Sequence, residues 1–77
     1  MLIHEALAEI RRMYPDARHH EARLSASLPA PAPGWRCMVS AWTDDSRINV
    51  FGHGETFEGA IADAERRERE IRKVRAA

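Results

Sequence analysis

The residues best suited to chemistry are four histidines, one cysteine and two adjacent aspartates: His4, His19, His20, His53, Cys37, Asp44 and Asp45. A metal centre needs three or four such ligands converging on one point. His19 and His20 are neighbours on an expected strand and so point to opposite sides of it. Cys37 has no second thiol in the chain. No metal site is expected. A nucleophile needs a base and a group that orients the base. Cys37 lies in an apolar run, where a thiol is a small inert core residue. Ser40, on an open sheet face, would lack a pocket and an oxyanion hole. The Asp44-Asp45 pair is ordinary turn chemistry. Neither catalysis nor a cofactor is expected.

Two further features could bind rather than react. Gly52-His53-Gly54 has the look of a phosphate loop, but its spacing fits neither a dinucleotide fingerprint nor a loop carrying a phosphate-binding lysine. Glycines at a strand end absorb unusual backbone angles and let a helix approach the sheet closely. The tail "ERREREIRKVRAA" sets Arg66, Arg67, Arg69, Arg72, Lys73 and Arg75 against Glu68 and Glu70. Its cations, Arg66, Arg69, Arg72 and Lys73 among them, could touch phosphates. They equally suit a solvated helix whose C-terminal dipole favours positive charge, and this reading is preferred. Ile71 and Val74 leave open a contact with a helix of another subunit.

The elements that must position these residues follow from periodicity. Ile3, Leu7, Ile10 and Tyr14 form one stripe at helical spacing, and Pro15 ends it, predicting a helix over residues 2–14. From 18 to 28 the pattern alternates, with Ala22, Leu24, Ala26 and Leu28 opposite His19, Glu21, Arg23, Ser25 and Ser27, as in a strand with one wet face. "PAPAPG", Pro29 to Gly34, is either a polyproline ligand or a semi-rigid connection, and the connection is preferred because nothing flanks it as such ligands require. Strands at 35–43 and 46–52 follow, joined by a two-residue Asp44-Asp45 hairpin. That register pairs Trp42 with Arg47, Ala41 with Ile48, Val39 with Val50 and Met38 with Phe51. It places Cys37 opposite Gly52 on the buried side. Thr56 caps a final helix over 56–75, with Glu58 in its first turn and Phe57, Ala60, Ile61 and Ala64 as its apolar stripe. Opposite charges four apart, Asp63 with Arg67, Glu65 with Arg69, Arg66 with Glu70 and Glu68 with Arg72, support its outer face.

The expected fold is therefore α+β: a two-layer α-β-β-β-α domain in which both helices cover one face of a three-stranded antiparallel sheet. Its 77 residues make one domain near the lower limit for a self-sufficient core. Twelve basic and 12 acidic residues cancel, which argues against non-specific nucleic-acid binding. A lone cysteine suits a reducing, cytoplasmic location. No run approaches a membrane span, and no basic segment precedes an apolar one as in a signal peptide.

The element order and the last strand-to-helix corner resemble the double-stranded-RNA-binding domain, whose motif there is Gly, any, Gly, any, Ser, two lysines, any, Ala, Lys. Gly52, Gly54, Thr56, Ala60 and Ala64 fall on its structural positions. The RNA-contacting lysine positions hold Phe57, Glu58 and Ile61, and the family's Gly-Pro-any-His loop is replaced by Pro33-Gly34-Trp35. The resemblance implies the fold and leaves RNA binding without its residues. The corner "GETFEGAIADAE" is also similar, over that segment alone, to antitoxin domains of the HicB class.

With helices on the Val39 side, Trp42, Met38 and Phe51 are expected to face outward beside Arg36, Arg47 and His53. Trp42 with Arg47 would make a cation–π pair and Met38 with Phe51 a sulfur–aromatic one. Such an apolar patch with a basic rim is how binding sites are built. The expectation is a non-enzymatic protein-binding or regulatory module that self-associates or caps a partner through this face. Its size and class resemble those of small phage inhibitors of host defence, anti-CRISPR proteins among them. The alternative is a nucleic-acid-binding domain.

Overall fold

The computed structural model describes residues 1–24 and 35–76, so the proline-rich segment and the far end of the first expected strand lie outside the described residues. The elements run α1 (Ile3–Met13), β1 (His19–Leu24), β2 (Cys37–Trp42), β3 (Asn49–Gly54) and α2 (Phe57–Ala76). The strands form one antiparallel sheet in the order β1-β2-β3. This is the expected α+β order.

Helix α1 starts where Glu5 accepts a 2.7 Å hydrogen bond from the Leu2 N–H, and it stops at Tyr14, ahead of Pro15. Its buried line is centred on Ala6 and Ile10, with Met13 and Tyr14 packed beside them, whereas Ile3 stays exposed. The expected stripe is thus turned toward Ala6, because a small residue lets the helix lie close to the sheet. Helix α2 is capped by Thr56, whose Oγ1 accepts from the Gly59 N–H at 3.0 Å. Three of the expected charge pairs form along it: Asp63 with Arg67 at 2.8 Å, Arg66 with Glu70 at 3.0 Å and Glu68 with Arg72 at 2.6 Å.

The core lies between sheet and helices. Ile10 of α1, Val39 and Ala41 of β2, Val50 of β3, and Phe57, Ala60, Ile61 and Ala64 of α2 make one buried cluster. Phe57 and Ile61, which replace lysines of the resembled motif, are therefore core side chains. The chain is short of bulk here, since Ile10 and Val39 are the largest side chains fully shielded from water. Close approach compensates. A Cβ on Gly52 would stand 2.1 Å from the Ala60 carbonyl oxygen and 2.5 Å from the Ala64 nitrogen, so α2 rests directly on the backbone of β3. Both Gly52 and Gly54 lie inside β3 rather than beyond it, and neither takes the left-handed conformation. Their role is space, and the expected unusual backbone angles are not used.

The β2–β3 hairpin differs from its expected register. Ala41 pairs with Val50, Ser40 with Phe51, Val39 with Gly52, Met38 with His53, Cys37 with Gly54, and Trp42 with Asn49. The strands are slipped by two residues, and the connection is longer. Thr43 donates its N–H to the Ile48 carbonyl at 2.9 Å, which encloses Asp44, Asp45, Ser46 and Arg47. Ser46, inside this four-residue connection, takes φ 63°, the left-handed turn conformation. A slip of two keeps every side chain on its own face, so the sorting into buried and open faces stands while the neighbours change.

Candidate functional site

The sheet face away from the helices carries His19, Glu21 and Arg23 of β1, Met38, Ser40 and Trp42 of β2, and Asn49, Phe51 and His53 of β3, by the observed registers. The expected patch does not survive there intact. Met38 is only 8 % exposed, so it is not the outward contact expected of it. It sits opposite His53 rather than Phe51. Trp42 is half-buried and stacks on His19, ring centroids 5.0 Å apart at 19°. The expected Trp42–Arg47 pair is replaced by this stack because Arg47 lies in the loop, bound to Asp45 at 3.1 Å. Asp44 fixes the other side of the stack, accepting from or pairing with His19 Nε2 at 2.8 Å and standing 3.4 Å from Arg18. Arg36 is exposed just before β2.

The side chains that do converge lie at the β3 edge. His53 contacts Phe51 and Trp35, with ring centroids 5.9 and 5.8 Å away. Arg67 of α2 reaches around the strand. Its guanidinium lies 5.6 Å from the centre of the Phe51 ring, and one of its nitrogens donates toward His53 Nε2 at 2.9 Å. Asp63, one helical turn earlier, accepts from the His53 backbone N–H at 3.0 Å and from Arg67 Nε at 2.8 Å. Burial acts to raise the Asp63 carboxyl, but the His53 N–H, Arg66 and Arg67 outweigh it and hold the group below its ordinary value. Sequence reasoning found Phe51 and His53 but missed Asp63 and Arg67 as their partners. The spacing of four between them was the available signal.

Backbone alternation decides what the rest of this edge offers. In an antiparallel ladder, groups face the neighbouring strand and the outside by turns. Ile48 faces β2 through the Thr43 bond, and the His53 N–H faces out to Asp63. Asn49 and Phe51 therefore also turn their N–H and C=O groups outward. Among the described residues β3 is an outer strand. A groove of about 480 Å³ runs along it beneath α2, lined by Asn49, Val50, Phe51, Arg67, Ile71 and Val74. Three large apolar side chains stand exposed here: Phe51 at 37 %, Ile71 at 45 % and Val74 at 78 %.

A second, more polar hollow of about 590 Å³ lies between the end of α1, the β2–β3 loop and α2. Three of its polar side chains, Tyr14, Glu68 and Arg72, bind one another. The Tyr14 hydroxyl donates to Glu68 at 2.6 Å, and Arg72 binds the other oxygen of the same carboxylate at 2.6 Å. Burial and the Glu68 charge push the Tyr14 phenol up. His20, on the helix side of β1, contacts the Tyr14 carbonyl at 2.7 Å.

Cys37 is buried, its thiol directed at the Glu55 carbonyl at 3.7 Å, and burial pushes its pKa up. Among the described residues no group of three His, Cys, Asp or Glu side chains could hold a metal ion, and no helix is long and apolar enough to cross a membrane. Comparison with protein-family models, curated proteins and solved structures gives no match.

Proposed function

We propose that this chain is a non-enzymatic protein-binding module, and that its binding surface is the β3 edge with the groove beneath α2. One observation carries this reading: Phe51, Ile71 and Val74, the exposed large apolar residues of β3 and α2, gather around two residues whose backbone hydrogen-bonding groups point outward. An unpaired edge beside an apolar groove is what strand addition uses, with main-chain bonds giving affinity and side-chain pockets giving specificity. A regulatory role of the kind performed by small phage-borne inhibitors would suit a domain that binds and does nothing else.

Affinity capture from cell lysate tests it, comparing wild type with Phe51→Glu and Trp42→Ala and measuring both bound protein and bound nucleic acid. A discrete protein held by wild type and by Trp42→Ala, and lost with Phe51→Glu, supports the edge. Retention by Phe51→Glu rejects it. The nucleic-acid reading has one observation in its favour: Arg69 and Lys73 of α2 have no ion-pair partner among the described residues. Nucleic acid that is retained and then eluted by salt would establish that reading instead.

A further inference from the structure

Resting on that reading of the groove, we propose that its occupant is a second copy of this chain, added antiparallel to β3 about a two-fold axis through Val50. The free part of the edge is short and its limits are set. Asp63 already takes the His53 N–H, and the loop begins before Asn49, so the outward N–H groups left are those of Asn49 and Phe51. Antiparallel self-pairing that sets Asn49 opposite Phe51 of the second copy uses all of them, in both directions. The same register places Val50 against Val50 on the helix side and sets Phe51 beside Asn49 of the second copy on the other face.

The helices agree with this axis. Gly52 lies beneath Ala60 and Ala64. Two residues back along β3 is about 6.6 Å, or roughly four residues of helix, which brings the axis to the neighbourhood of Arg67 and Glu68. Arg67, Glu70, Ile71 and Val74 recur at three- and four-residue spacing and so share one stripe of α2. Antiparallel crossing of two such stripes lays Ile71 and Val74 of each copy over the joined edge. The surface is complementary to itself in hydrogen bonds and apolar area. A second copy also adds buried apolar area to a domain close to the lower size limit for a self-sufficient core.

The test is mass in solution over a range of concentrations, by sedimentation equilibrium, for wild type, Asn49→Pro and Ile71→Glu. Proline removes only the outward N–H of Asn49 and is tolerated on an outer strand. It deletes two intermolecular bonds by symmetry, which corresponds to a dissociation constant raised about thirtyfold. Ile71→Glu changes an exposed position and serves even if Asn49→Pro fails to fold. The expected result is wild type at twice the 8.8 kDa chain mass, and both variants shifted to the single-chain mass with unchanged circular dichroism. A wild type that stays at the single-chain mass overturns the second copy alone, because capture of another protein in a Phe51-dependent way would still keep the groove. A double mass in wild type and both variants places association elsewhere and overturns the inference.

Discussion

Replacing Gly52 by alanine probes the contact on which the two layers depend. The added Cβ would meet the Ala60 oxygen at 2.1 Å, the Ala64 nitrogen at 2.5 Å and the Ala64 Cβ at 2.7 Å. None of these is the movable end of a side chain. Ordinary separation would require α2 to retreat by roughly 1 Å, and a gap of that size forfeits about a quarter to a half of the dispersion attraction across it. The retreat acts on Phe57, Ala60, Ile61 and Ala64 together, all buried against the sheet. Overpacking costs typically about 1–3 kcal/mol, and rigid backbone neighbours put this case at the upper end. A 77-residue domain has on the order of 4–12 kcal/mol in total. The expected fall in Tm is about 12–24 °C, followed by circular dichroism. Gly59→Ala is the control, because its Cβ meets only Thr56 Oγ1 at 3.3 Å on an exposed turn of α2. Its Tm should stay within about 4 °C of wild type, since only the Thr56 hydroxyl has to yield. A Gly52→Ala protein that melts within about 4 °C of wild type would refute the close-contact reasoning.

Two further outcomes follow from the hydrogen-bonded groups beside the core. Tyr14→Phe should cost about 1.5 kcal/mol by removing the bond to the Glu68 carboxylate. The Tyr14 phenol titrates above its usual 10 in the folded chain, so the unfolded chain ionises first. The Tyr14 contribution should be constant below that value and be lost as pH rises above it; the urea midpoint of Tyr14→Phe should fall less at alkaline pH than that of wild type, and an equal alkaline loss in both would refute the assignment. Asp63 has the opposite sign. Its folded carboxyl titrates below the ordinary value, so its contribution is complete above about pH 5 and is lost as pH falls through the folded value. Asp63→Asn should therefore show a shallower acid loss of urea midpoint than wild type, and parallel curves would show that the His53 and Arg67 contacts contribute nothing.

Element identity was legible in the sequence where local physics decides it. Pro15 had to end α1, Thr56 had the side chain to cap α2, and alternation in β2 and β3 separated Val39, Ala41 and Val50 from Ser40, Trp42 and Phe51. The value of Gly52 and Gly54 as space for α2 was also readable, because alanines at 60 and 64 signal close packing. Phe51 and His53 were legible members of the site. Three of the four charge pairs expected along α2 from spacing form, while Glu65 and Arg69 are not paired with each other.

Pair identity across the sheet was decided only by tertiary structure. Alternation has period two, so a two-residue slip satisfies it equally well, and only the loop with Ser46 at positive φ distinguishes Asn49 from Arg47 as the neighbour of Trp42. The same limit hid the fate of the open face. Whether Met38 is covered, or whether His19 stacks on Trp42, depends on strands far apart in the chain. Arg67 reads in the sequence as one more cation on a solvated helix, and it becomes the partner of Phe51 and His53 because α2 lies along the outer edge of β3. Sequence periodicity records which side of an element is apolar. It carries no record of which neighbour stands beside it, since that is set by packing distances between segments that meet only when the chain closes on itself.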